Sequence, residues 1–135
     1  MTALDDLYRE TILEHYKHPQ HRGTIEEPDF TFEDANPLCG DHIRMDVRVA
    51  DGKIVDARFS GRGCAISQAA ADLLCDRVVG MPLDEAKKLS RDDMLELLGI
   101  ELGPVRLKCG MLALKTLKAG VYGMAQWPGE EEEEP

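Results

Sequence analysis

Apolar residues recur at helical spacing from the start of the chain. Leu4, Leu7, Tyr8, Ile12 and Tyr16 share one side of a 3.6-residue repeat, which predicts a helix over residues 3–17. Thr2 with Asp5 supplies a capping box, and His18-Pro19 ends the run. Residues 18–38 lose the periodicity and carry Gly23, Pro28 and Pro37, so they read as loop with a short strand near 29–34. From residue 41 the period changes to two: Ile43, Met45 and Val47 alternate with polar neighbours. Strands are expected at 41–50 and 53–60, joined by Asp51-Gly52, a strong two-residue hairpin signal.

The second half returns to helical signals. Gly61 and Gly63 break the strand, and an Ala-rich helix runs from 65 to 79 until Gly80 stops it. Pro82 opens a short helix through Leu89. Ser90 caps another, with Asp93 three residues on and Gly99 closing it. Pro104 stands at the first position of a long helix over 104–123. The order of helix, strands, then helices predicts an α+β domain.

Composition narrows the class. A chain of 135 residues suits one domain able to bury a core. It contains no apolar run of the ~18 residues a membrane span needs, and "MTALDDLYRE" lacks the apolar segment of a secretory signal. A cytoplasmic protein is therefore expected, with no membrane partner. Net charge is −10, of which five charges sit in Glu130–Glu134. That block predicts a disordered acidic tail at 125–135 behind a domain at 1–124. Acidic balance, scattered Lys and Arg and a single Trp argue against nucleic acid as a partner.

The chemistry lies in four cysteines, at 39, 64, 75 and 109. In a reducing compartment, spaced cysteines point to metal binding or catalysis more than to disulfides. Cys39 and Asp41 are two apart in extended chain and so share a face. Cys64 sits at a glycine-rich strand-to-helix junction, and Cys109 in the opening turns of the last helix. Arg62, Arg106 and Lys108 add positive charge near these helix starts, surroundings that favour a thiolate. Cys75 lies in the same helix as Cys64 but about 16 Å along its axis, too far to share an ion, and reads as core. The set able to converge is Cys39, Asp41, Cys64 and Cys109, against the plain alternative that each cysteine merely packs. The glycines of "SGRGC" serve either as turn residues or as an anion nest. No phosphate loop, full dinucleotide fingerprint or CxxC pair is present. His15, His18 and His21 read as solvated helix-terminating residues, and His42 should face away from Asp41.

With those segments assembled, the chain resembles the IscU/SufU family of iron–sulfur cluster assembly proteins, also found as the N-terminal domain of NifU. The matching pieces are "LYRETILEHYKHPQHRG" (7–23), "NPLCGD" (36–41), "GRGCAISQAAADLL" (61–74) and "VRLKCGMLAL" (105–114). The resemblance covers the chain to about residue 124. It implies a small three-stranded antiparallel sheet packed by about five helices. It also implies that Cys39, Cys64 and Cys109 are cluster-assembly cysteines with Asp41 as their carboxylate companion. Features of two branches are combined. Lys108 stands where the IscU branch has histidine, giving the SufU-like Arg106-x-Lys108-Cys109. "LGPVR" (102–106) replaces the IscU segment read by a dedicated chaperone, so the resemblance does not extend to that partner. Only 44 residues separate Cys64 from Cys109, too few for the usual SufU insertion.

The resemblance implies a scaffold that takes sulfur from a cysteine desulfurase, with Cys39 as acceptor and Arg106 and Lys108 supporting the thiolates. A labile [2Fe–2S] cluster would form at Cys39, Asp41, Cys64 and Cys109 and pass to apo-proteins. The alternative is a zinc-dependent sulfurtransferase with Zn2+ on the same four residues, and a purely structural zinc module stands third.

Overall fold

The computed structural model describes residues 3–36, 40–99, 102 and 104–121. Along it run α1 (Ala3–Lys17), β1 (Phe30–Asn36), β2 (Asp41–Ala50), β3 (Lys53–Arg62), α2 (Ala65–Val78), α3 (Leu83–Lys87), α4 (Arg91–Leu98) and α5 (Pro104–Val121). The strands form one antiparallel sheet in the order β1-β2-β3. Helix α5 packs on β1 and β2, α2 on β3, and α1 on α2. This is the expected α+β fold, a three-stranded antiparallel sheet with five helices. Thr2 of the expected capping box and the expected tail at 125–135 lie outside the described residues. Among those described, no helix is long and apolar enough to cross a membrane.

Local chemistry accounts for most boundaries. Asp51 and Gly52 both take positive φ, 53° and 76°, which the primed two-residue turn requires. Val49 pairs with Ile54 while Arg48 pairs with Asp56, so Val55 is an extra residue in β3 and turns outward. Ser90 and Asp93 exchange both bonds of a capping box at α4, and Gly99 closes that helix in the left-handed conformation. Pro82 stands at the N-cap of α3 rather than within it.

The inward face of β2 is Asp41, Ile43, Met45 and Val47, all buried. Ile43 and Met45 join Ile54, Phe59, Leu74, Met94, Leu98 and Leu117 in one core. Burying each such side chain contributes about 1.5–3 kcal/mol. The segment before β1 shields the rest of the sheet. Gly23 N–H donates to Phe59 O and Phe59 N–H to His21 O, closing the outer edge of β3. The chain then crosses the outer face, where buried Asp46 accepts from Ile25 N–H and the Thr31 hydroxyl.

Candidate metal centre

The sheet register builds the first half of the site. His42 pairs with Arg62, so the chain leaving β3 carries Gly63 and Cys64 onto Asp41 at the start of β2. Cys64 is the N-cap of α2, yet its own side chain caps nothing. Asp41 does part of that work: its Oδ1 accepts the Cys64 N–H at 3.0 Å, from 23 residues away. Its Oδ2 then lies 3.8 Å from Cys64 Sγ. The Ser67 hydroxyl donates to Cys64 O at 3.1 Å, and its oxygen is 4.0 Å from Cys64 Sγ.

Close approach here depends on the absence of a side chain at 63. A Cβ on Gly63 would lie 2.3 Å from Ser67 Oγ and 2.6 Å from Asp41 Oδ1. Gly61 has its own reason to be glycine. Its φ is +121°, and a Cβ there would fall 2.1 Å from His42 O.

Helix α5 supplies the third group. It crosses α2 and the sheet, bringing Cys109 to the same point. Ligand atoms of Asp41, Cys64 and Cys109 all lie within 4.8 Å of one another. A metal–thiolate bond is about 2.3 Å, so donors across one ion stand up to about 4.6 Å apart. The trio is thus close to the dimensions of one coordination sphere, and a contraction of a few tenths of an ångström brings it onto a single ion. Asp41 and Cys109 are buried and Cys64 is half-buried. Two thiols and a carboxylate suit zinc or iron bound through sulfur, with the carboxylate the harder and more exchangeable donor.

The remaining expected site residues fall as follows. Cys39 lies outside the described residues. The backbone of Arg106 is in the first turn of α5, but its side chain is also outside them. Lys108 is exposed on α5, one residue before buried Cys109. Cys75 is fully buried among core residues, and burial first, then the nearby Asp72 carboxylate, pushes its thiol well above the ordinary 9.0. His42 faces away from Asp41, its Nε2 2.7 Å from Glu33.

The N-terminal histidines differ from expectation. His15 is not solvated: its Nδ1 sits 2.6 Å from Asp72 Oδ2 on buried Asp72. The other oxygen of Asp72 accepts the N–H groups of Gln20 and His21. His21 also lies 3.4 Å from Asp76, whereas His18 is exposed as expected. A buried carboxylate needs such partners, and the end of α1 provides them. Pattern does not single out Asp72 and Ser67, and it gives Gly63 as a turn or nest glycine rather than as the close neighbour of Asp41. The available signal was one acidic residue inside the small apolar run "AAADLL".

Comparison with known proteins bears on the family and the fold. The profile of the NifU-like N terminal domain family matches residues 7–130. The zinc-dependent sulfurtransferase SufU of Bacillus subtilis is 35% identical, covering 87% of this chain and 91% of that protein. The iron-sulfur cluster assembly scaffold protein IscU of Escherichia coli K12 is 35% identical over 84% of this chain and 91% of its own. Among solved structures, a Fervidobacterium islandicum AW-1 protein proposed as the SUF system's cluster assembly scaffold superposes with a TM-score of 0.74. It is 28% identical, covering 83% of this chain and 94% of that one. With sequence and fold matching over nearly the same span, the chain belongs to the NifU-like N-terminal domain family.

Proposed function

We propose that this chain is an iron–sulfur cluster assembly scaffold that accepts sulfur from a cysteine desulfurase. The observation carrying this reading is the convergence of Asp41, Cys64 and Cys109 within 4.8 Å at the ends of three elements. Cys39, two residues before Asp41, completes the ligand set. In the sulfur step the Cys39 thiolate attacks the outer sulfur of the donor's cysteine persulfide. The donor's S–S bond breaks, a new one forms on Cys39, and the donor cysteine leaves as a thiolate, with no net oxidation. Lys108 and Arg106 support the thiolates from the first turns of α5. The cargo is a [2Fe–2S] cluster bound by the three cysteines and Asp41, and apo iron–sulfur proteins receive it.

Asp41 is the release point in this reading, because a carboxylate holds soft iron less firmly than a thiolate. Asp41→Ala should then retain a reconstituted cluster longer than the native chain. Faster loss of the cluster, followed by its visible absorbance under anaerobic transfer conditions, would remove that role.

Similarity to the B. subtilis sulfurtransferase at 35% identity favours a second reading. Here Cys39, Asp41, Cys64 and Cys109 would hold Zn2+, which would supply the charge that keeps thiols deprotonated, and Cys39 would be the thiol that takes sulfur. Two measurements on protein purified without oxygen separate the readings. The scaffold predicts labile sulfide and iron in equal amounts after reconstitution, and transfer to an apo-ferredoxin-type acceptor. Strong stimulation of a desulfurase by the zinc form, without cluster transfer, decides for the sulfurtransferase.

A further inference from the structure

Beside the metal centre lies a cleft of about 400 Å3, whose lining includes Tyr16, Lys17, Arg22, Arg62, Gly63 and Gln68. Three of these are cations, in a chain of net charge −10 with 26 acidic residues. Ordinarily such cations find carboxylates. Among the described residues, none of Lys17, Arg22 and Arg62 has an acidic partner within ion-pair distance.

Arg22 is held ready. Its Nη1 donates to Oε1 of buried Gln68, its Nη2 donates to Gly61 O at 2.9 Å, and its guanidinium lies 5.7 Å from the centre of the Phe59 ring. A guanidinium has five N–H groups, so donors remain for a ligand. Because the fork is already fixed, binding a planar carboxylate to it forfeits little side-chain freedom. The volume is at the lower end for small-molecule sites, which excludes a folded partner from the cleft itself. Gly63 belongs both to this lining and to the contact with Asp41, so an occupant would sit against the wall of the metal centre.

We propose that this cleft binds a small polycarboxylate, one carboxylate on Arg22 and the others reached by Arg62 and Lys17. The site stands on its own lining and does not depend on cluster assembly. Its test is a titration of the full chain, as purified, with propane-1,2,3-tricarboxylate, a poor chelator. The backbone amides of Gly61 and Gly63 and the Arg22 Nε–H report binding by NMR. Acetate and inorganic phosphate are run in parallel. Saturable shifts confined to these residues are expected, at least about tenfold tighter than with acetate or phosphate and with no loss of bound metal. Lys17→Glu and Arg62→Glu, both at exposed positions, should each weaken binding by about tenfold or more, with circular dichroism showing the native fold retained. Arg22→Lys, which keeps the charge but loses the fork, should weaken it too. The proposal fails if no shift saturates, if phosphate binds as tightly as the tricarboxylate, or if the double variant Lys17→Glu/Arg62→Glu binds like the native chain. Desulfurase stimulation and cluster transfer, measured on the same samples, report separately on the proposed function.

Discussion

Asp41 and Gly63 show how little room a single residue has at this centre. A methyl group at 63 would press on both the Asp41 carboxylate and the Ser67 hydroxyl, and one of them must move. Gly63→Ala is therefore expected to weaken zinc binding about 10–100-fold, the usual effect of disturbing a ligand's supports. Competition against a chromophoric chelator measures this, and unchanged affinity would show that the Ser67 hydroxyl yields and Asp41 keeps its place. Cys75 makes the opposite case, a thiol withdrawn from chemistry. With its proton held well above the ordinary 9.0, it should resist iodoacetamide in the folded protein at pH 8 while Cys64 reacts. The sign for stability follows from the same shift. The folded state prefers the protonated thiol, so its contribution is complete below about pH 9 and is lost as pH rises toward the folded value. Alkaline unfolding midpoints of Cys75→Ala and the native chain should accordingly converge as pH increases above 9.

Helix α1 is tied to α2 by one carboxylate. Asp72 accepts from Gln20 N–H and His21 N–H and bonds His15, all while fully buried. Removing it leaves two backbone donors without that acceptor, each worth about 1–3 kcal/mol when left unsatisfied. Asp72→Ala should cost about 3 kcal/mol or more in urea unfolding, and Asp72→Asn less. A loss below about 0.5 kcal/mol would mean the histidine turn is solvated in solution. The element scale also shows why α2 begins where it does. The N–H of its N-cap, Cys64, is taken by Asp41 of β2, so sheet and helix define that terminus together.

For the whole molecule, the question is whether metal makes the fold or the fold makes the site. The core from Ile43 to Leu117 is continuous without any ligand. Chelation is therefore expected to leave helical circular dichroism intact while lowering the melting temperature. The lost stabilisation is the ligand's linkage term, about 4 kcal/mol for a metal present at 1,000 times its dissociation constant. Loss of the helical signal on chelation would instead establish a structural zinc module. The acidic excess of the chain also acts at this scale, since it makes a cleft lined by three cations without a carboxylate partner among the described residues stand out as a place for an anion.

Elements were legible in sequence because their signals are local. The Asp51-Gly52 turn, the Ser90–Asp93 box and the Pro104 start each need only a few adjacent residues, and each appears where expected. Cysteine spacing with element ends named Cys39, Asp41, Cys64 and Cys109 as a set able to converge; the last three lie together, Cys39 is outside the described residues, and the family resemblance gave the set a chemistry. What only the tertiary structure decided were contacts between distant segments. The β2–β3 register sets Gly63 against the Asp41 carboxylate, and helix packing makes His15 a partner of Asp72 and His21 a partner of Asp76 while His18 stays exposed. Nothing within a few residues of Asp72 or Gly63 encodes those neighbours. They follow from burial, which forces a carboxylate to find donors wherever the fold supplies them.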